Sequence, residues 1–223
     1  TISHLRFGPT PIQSPYLCTR ADFVACHQFS FLEKYDLLKD AREGAVFLLN
    51  SPFGPEEVWA QMPDELERQI IKKKIKFYVI DAIKLAKELK LGARINTIMQ
   101  TCFFQISGVL PPEKAIAALK NAIRKTYGRK GEEVVAMNFK AVDSAVANLH
   151  QMSVPARPSG KVKMPPVVAE DAPDFVKRVT ASIMSQRGNE LPVSALPADG
   201  TWPTGTTRFE KRNIAVDIPA WDA

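Results

Sequence analysis

From Ala21 onward the chain alternates short apolar runs with longer segments of helical period. ADFVAC (21–26), AVFLLN (45–50) and KFYVID (76–81) are short and largely apolar on both alternating faces, which predicts strands buried from two sides. Between them, FSFLEKYDLLKDA (29–41) and PEEVWAQMPDELERQIIKKK (55–74) space their apolar residues three and four apart, which predicts helices. Pro55 suits a first turn, and Pro63 must divide the second segment into two pieces. AIKLAKELKL (82–91) predicts another helix, with Gly92 as its stop. Buried strands joined by helices imply an α/β fold, a three-layer, Rossmann-like parallel sheet with helices on both faces.

After Arg94 the strand pattern ends and three helices are predicted, over 95–107, 112–128 and 131–151. The first of these, in RINTIMQTCFFQISG, has an apolar face of Ile95, Ile98, Met99, Cys102, Phe103 and Ile106. Its other face carries Asn96, Thr97, Gln100, Thr101 and Gln105 without a charge. Such a face can be buried, because none of its groups must shed a charge, and Asn96 or Thr97 is the expected N-cap. The character changes near Val154. Nine of the 17 prolines lie in residues 155–223, around one helical patch over 173–186, so this part is expected to be an extended C-terminal arm. Trp202, Phe209, Ile214, Ile218 and Trp221 would anchor the arm along a partner.

Composition narrows the chemistry only slightly. The net charge of +6 is concentrated before residue 151, enough to attract phosphates or acidic partners, but no interleaving of aromatic and basic residues points to nucleic acid. Lys72, Lys73 and Lys74 close a helix, where cations meet the favourable end of its dipole. Cys18, Cys26 and Cys102 are odd in number and have no C-x-x-C spacing, which argues against a disulfide framework or a metal site and for a cytoplasmic setting. No run is long and apolar enough to predict a membrane span. His4, His27 and His150 have no visible nucleophile partner and are expected to be structural. No glycine-rich phosphate loop is present, so no catalytic residue is assigned. The opening TISHLRFGPTPIQSP reads as an internal segment.

Several long strings, in order, carry a resemblance: SHLRFG with PIQSPYL, ADFVACHQFSFLEKYD, FLLNSP, FYVIDA, ARINTIMQTCFFQISGVLP, KTYGRKGEEVV with NFKAVD, and LPVSALPADGTWPTGTTRFEKRNIA with IPAW. Together they make the chain similar to pyruvate:ferredoxin (flavodoxin) oxidoreductases. The resemblance implies that residues 1–154 are the family's domain III, lacking its N-terminal strand. Residues 155–223 would be the connector containing the EKR motif, Glu210, Lys211 and Arg212, which leads to a ferredoxin-like [4Fe-4S] domain outside this chain.

That family oxidatively decarboxylates pyruvate to acetyl-CoA and CO2 with thiamine diphosphate and Mg, and passes electrons through iron–sulfur clusters to ferredoxin or flavodoxin. The resemblance implies that this segment contributes to the coenzyme A site, with Asn96 and Asn138 as contacts and Arg94 and Lys140 as weaker ones. Uncharged amides can donate to phosphate or adenine without a counter-ion. Other domains of the same enzyme would be its partners, in a homodimeric full enzyme. A non-catalytic assembly module of that enzyme is the alternative, and an independent flavodoxin-like protein would share the α/β pattern but not the quoted strings.

Overall fold

The structure, a computed structural model, describes residues 2–210 and 219–221. It divides into two compact units, Thr1–Phe29 with Leu37–Val162, and Ser30–Asp36 with Lys163–Ala223.

In the first unit three parallel strands, β1 (Ala21–Cys26), β2 (Ala41–Asn50) and β3 (Lys76–Ile80), pair in sequence order. The chain is α/β, as its apolar runs predict. The helix predicted over 131–151 stops at Ala147, and its last two predicted residues are instead a strand: β4 (His150–Gln151) pairs antiparallel with β3, so the sheet is mixed and not wholly parallel. Two polar residues give no periodicity to read. β2 also begins four residues early, because Arg42–Ala45 swell into an irregularity between the pairs Ala21↔Ala41 and Phe23↔Val46. Gly44 turns there at φ +74°, a conformation that glycine enters at no steric cost.

Residues 29–41 form no α-helix. They give a 3-10 turn, Phe29–Glu33, and further turns, with Leu32 and Leu38 both buried. Residues six apart on a helix stand about 120° from one another around its axis, at the limit of one apolar stripe, and burial of both leucines prevails over the local period.

Two helices lie between β2 and β3, α1 (Val58–Gln61) and α2 (Asp64–Lys72), divided at Pro63 as expected. After β3 come α3 (Ala82–Glu88), α4 (Asn96–Ile106), α5 (Pro112–Tyr127) and α6 (Glu132–Ala147). Asp81 caps α3 by accepting the Lys84 N–H at 2.9 Å. Its end precedes Gly92: Lys90, at φ +58°, turns the chain first, and Gly92 turns it again.

Strand alternation sorts the core. Leu48, Tyr78 and Ile80 share one sheet face and pack in a cluster with Ala82, Leu85 and Ala86 of α3, Ile98, Met99 and Cys102 of α4, and Ala141 and Ala145 of α6. On the opposite face Phe47 and Phe77 stack with ring centroids 5.4 Å apart. They are fully buried, as are Val58, Met62 and Ile70 of the α1–α2 region.

Two buried polar residues fasten this unit. Asn50, at the end of β2, donates from Nδ2 to the His27 carbonyl after β1 and accepts the Ala82 N–H after β3, both at 2.9 Å. It therefore ties the carboxyl ends of all three parallel strands. Glu67 of α2 is fully buried and receives both the N–H and the hydroxyl of Ser159, while the Asp64 N–H donates to the Val162 carbonyl at 2.8 Å. The chain leaving β4 is thus held along α2.

The second unit has a core of its own. Val168, Ala172, Val176 and Ala181 cluster, with Phe209 packed against them. A π-helical turn, Val176–Thr180, runs into α7 (Ala181–Met184), and the Ala181 N–H reaches back five residues to the Val176 carbonyl. Of the expected anchors, Trp202 meets Phe175 edge-on at 4.9 Å, Phe209 joins the cluster and Trp221 is exposed. Ile214, Ile218, Lys211 and Arg212 lie outside the described residues.

Asn50→Ala leaves two backbone groups without partners, and we expect it to lower unfolding stability by about 2 kcal/mol or more. Urea denaturation of the purified variant measures this. A loss below about 0.5 kcal/mol would show that Asn50 does not hold the strand ends.

Candidate functional site

Helix α4 sits between the sheet and the helices α5 and α6, so residues on both of its sides are sealed. This explains much of its uncharged polar face. Thr101 is fully buried and returns its hydroxyl to the Thr97 carbonyl at 2.7 Å. The Thr97 hydroxyl donates to Asn138 Oδ1 on α6 at 3.3 Å, and Asn138 Nδ2 donates to the Val134 carbonyl at 2.9 Å. Asn138 is 6 % exposed, so it forms a buried brace between the first turn of α4 and the middle of α6. One of its two amide hydrogens suffices for the Val134 bond, which leaves one donor.

The N-cap differs from expectation. Ile95 occupies it without any side-chain cap, and Asn96 is the first helical residue. The reason lies in the turns before it: the Ile95 N–H bonds to the Ala93 carbonyl at 3.1 Å and helical geometry is already reached at Ile95. The first intrahelical bond runs from the Met99 N–H to the Ile95 carbonyl at 2.9 Å. The N–H groups of Asn96, Thr97 and Ile98 precede it and have no intrahelical partner, and the helix dipole favours negative charge beside them. Arg94, Asn96 and, on α6, Lys140 are exposed. The structure therefore joins Asn138 to the turn that Asn96 begins.

None of these four residues lines either of two shallow clefts formed by the described residues. The more open of the two, about 360 Å³, lies at the amino ends of β1 and β2 between Arg20, Lys39 and Arg42. Two of its charges are paired, Arg42 with Asp22 at 2.5 Å and Glu43 with Lys74 at 2.7 Å, both exposed pairs of ordinary surface kind. The second, about 290 Å³, lies at the carboxyl ends of β2 and β3, lined by Phe53, Asp81, Lys84, Glu88, Asn148 and His150. Ligands of parallel sheets favour that edge, and sequence reasoning missed it because its residues come from three separated segments.

The three histidines lie in separate segments: His150 is exposed in β4. His4 Nδ1 accepts the Cys18 N–H at 3.1 Å, and burial lowers the pKa of His27 below its usual 6.5. Among the described residues no group of three or more His, Cys, Asp or Glu is arranged to hold a metal, and no helix is long and apolar enough to cross a membrane. All three cysteines are free.

Residues 1–148 match the family model described as pyruvate ferredoxin/flavodoxin oxidoreductase, and residues 161–215 match a second, EKR, described as a domain of unknown function. A putative pyruvate-flavodoxin oxidoreductase of Synechocystis sp. is 54 % identical over the whole chain, and a pyruvate-flavodoxin oxidoreductase of Rhodospirillum rubrum is 52 % identical over the same span. A pyruvate:ferredoxin oxidoreductase of Moorella thermoacetica is 48 % identical over 99 % of the chain. In each case the match occupies 19 % of the relative, so the chain spans about a fifth of those proteins. Among solved structures, the pyruvate oxidoreductase subunit PORC of Thermotoga maritima aligns with a TM-score of 0.48 and 18 % identity, over 60 % of this chain and 67 % of that one.

Two thiols offer a test of the packing around α4 and β1. Burial, the larger cause in each, pushes Cys26 up to about 11 and Cys102 up to about 12 from the usual 9.0. Both stay protonated in the fold after unfolded thiols have ionised. Their contribution to stability is intact below pH 9 and falls as pH rises from 9 through 11 to 12. We expect no more than one thiol to label with dithionitrobenzoate at pH 8 in the native protein and all three in urea. Rapid native labelling of two or more would contradict this packing.

Proposed function

The chain belongs to the pyruvate ferredoxin/flavodoxin oxidoreductase family, and on that premise we propose that it is the part of such an enzyme that receives coenzyme A. In this reading residues 1–154 form the oxidoreductase domain. Residues 155–223 form the connector carrying Glu210, Lys211 and Arg212 toward an iron–sulfur domain, in a cytoplasmic enzyme that reduces ferredoxin or flavodoxin.

The carrying observation is the start of α4, where unpaired N–H groups and the exposed Arg94 and Asn96 stand together on a turn that Asn138 braces from within. An anionic ligand suits such a terminus. Asn96 presents an amide that can donate to a phosphate or accept from adenine, and Arg94 supplies a fixed positive charge. Asn138 orients the turn through Thr97 and has one amide hydrogen left for the ligand. Lys140, on the exposed side of α6, adds weaker long-range attraction.

In the full enzyme of this reading, thiamine diphosphate with Mg would supply the carbanion chemistry for releasing CO2 from pyruvate and [4Fe-4S] clusters would supply the electron path, both held by residues outside this chain. The residues of this chain do not fit the clusters, since two of its three thiols are buried and held protonated. The work of this segment is binding. It holds the nucleotide end of coenzyme A while the thiol reaches chemistry performed elsewhere in the enzyme.

In the full-length enzyme, Asn96→Ala and Asn138→Ala are each expected to raise the coenzyme A Kd about tenfold, and Arg94→Ala several-fold, because hydrogen bonds to charged groups are worth about 1.5–3 kcal/mol. Pyruvate-dependent CO2 release in the absence of coenzyme A should persist. Calorimetric titration with coenzyme A makes the measurement, and an unchanged Kd in Asn96→Ala would leave the assembly-module reading in its place.

A further inference from the structure

Residues 4–18 form a loop closed by its own polar contacts. The Cys18 N–H donates to His4 Nδ1 at 3.1 Å, Arg6 donates to the Ser14 carbonyl at 3.0 Å, and the Arg6 guanidinium lies 4.8 Å over the Tyr16 ring. These bonds fix the backbone without covering the apolar side chains. Leu5 is 72 % exposed, Phe7 53 %, Tyr16 67 % and Leu17 66 %. Ordering a loop costs conformational entropy, which burial of its apolar groups ordinarily offsets, and here they face outward. Several large apolar groups presented by one fastened segment mark a surface that meets another protein surface.

The loop is also coupled to the core. The Phe7 ring lies 5.6 Å from Phe103 of α4, and Phe103 meets Phe23 of β1 edge-on at 4.9 Å. A surface joined to the sheet by these two ring contacts, one tilted and one edge-on, presents its side chains from a firm base.

We infer that residues 4–18 are the docking surface for another domain of the same oxidoreductase polypeptide. This rests on the proposed reading for the nature of the enzyme, but not on its coenzyme A site. The occupant follows from the relatives: all of this chain aligns within 19 % of their length, so most of the matched proteins lies in other segments of one covalent chain. A tethered neighbour meets an apolar patch at an effective concentration of about millimolar, which a second copy of the molecule does not reach in dilute solution. The match in type is an apolar, uncharged face, since the exposed groups offer area rather than charge.

Hydroxyl-radical footprinting of the full-length enzyme, without coenzyme A, tests the inference. Phe7, Tyr16 and Leu17 should be oxidised at least about fivefold more slowly than in a synthetic peptide of residues 2–20, and the protection should survive hundredfold dilution. Slowing below fivefold overturns the proposal, and protection that vanishes on dilution overturns it by assigning the surface to a second copy. Because the readout needs no ligand, failure of the coenzyme A site leaves it unaffected.

Discussion

A helix sealed on both sides must satisfy its polar groups from within the protein. That constraint governs α4. Its apolar residues close the sheet-facing core, and its inward polar residues cannot reach water. Thr101 turns back on its own helix and Thr97 reaches Asn138, so that the buried face is both polar and neutral. A charged residue at either position would bring a desolvation cost that no neighbour offsets. The same arrangement frees the opposite end of the problem: with Thr97 engaged inward, Asn96 and Arg94 are left to face outward at the first turn.

Asn50 plays a comparable part for the sheet. One amide satisfies a carbonyl beyond β1 and an N–H beyond β3, so the three strand ends keep a common height. Glu67 then does for the returning chain what Asn50 does for the strands, with Ser159 filling a carboxylate that would be costly to bury alone. Each of these fasteners is a single polar residue placed in otherwise apolar surroundings. Lost partners there leave unpaired groups rather than merely weaker packing.

Legibility in the sequence followed the strength of the periodic signal. Strands β1, β2 and β3 showed as short apolar runs, and α5 and α6 as long segments with a clear stripe, within a few residues of their ends. The full burial expected of all three strands holds for the core of β2 and β3 but not for β1, which lies at the sheet edge with only Cys26 of its six residues buried. Residues 29–41 imitated a helix because their apolar spacing is helical locally, while Leu32 and Leu38 are both buried on another path. β4 could not be seen at all, since two polar residues have no period. For the candidate site, Asn96 and Asn138 stood out through the resemblance. That Asn138 supports Thr97 depends on a contact 41 residues away in sequence, which no local pattern encodes. The cap at Ile95 was equally hidden, because the preceding turns set it.

The wide turn at Val176–Thr180 has a consequence for how this chain can change in length. Residues five apart on an α-helix are separated by about 140° around its axis, yet Val176 and Ala181 enter the same cluster. The wider turn winds fewer degrees per residue and so absorbs the difference. Deleting one residue there would restore a regular helix in which Val176 and the residue now numbered Ala181 stand four apart, about 40° around the axis, so α7 would keep its phase with the small core that includes Val168 and Ala172. The turn therefore behaves as an accommodated insertion, one that changes the length of this stretch without changing which side of α7 meets the core.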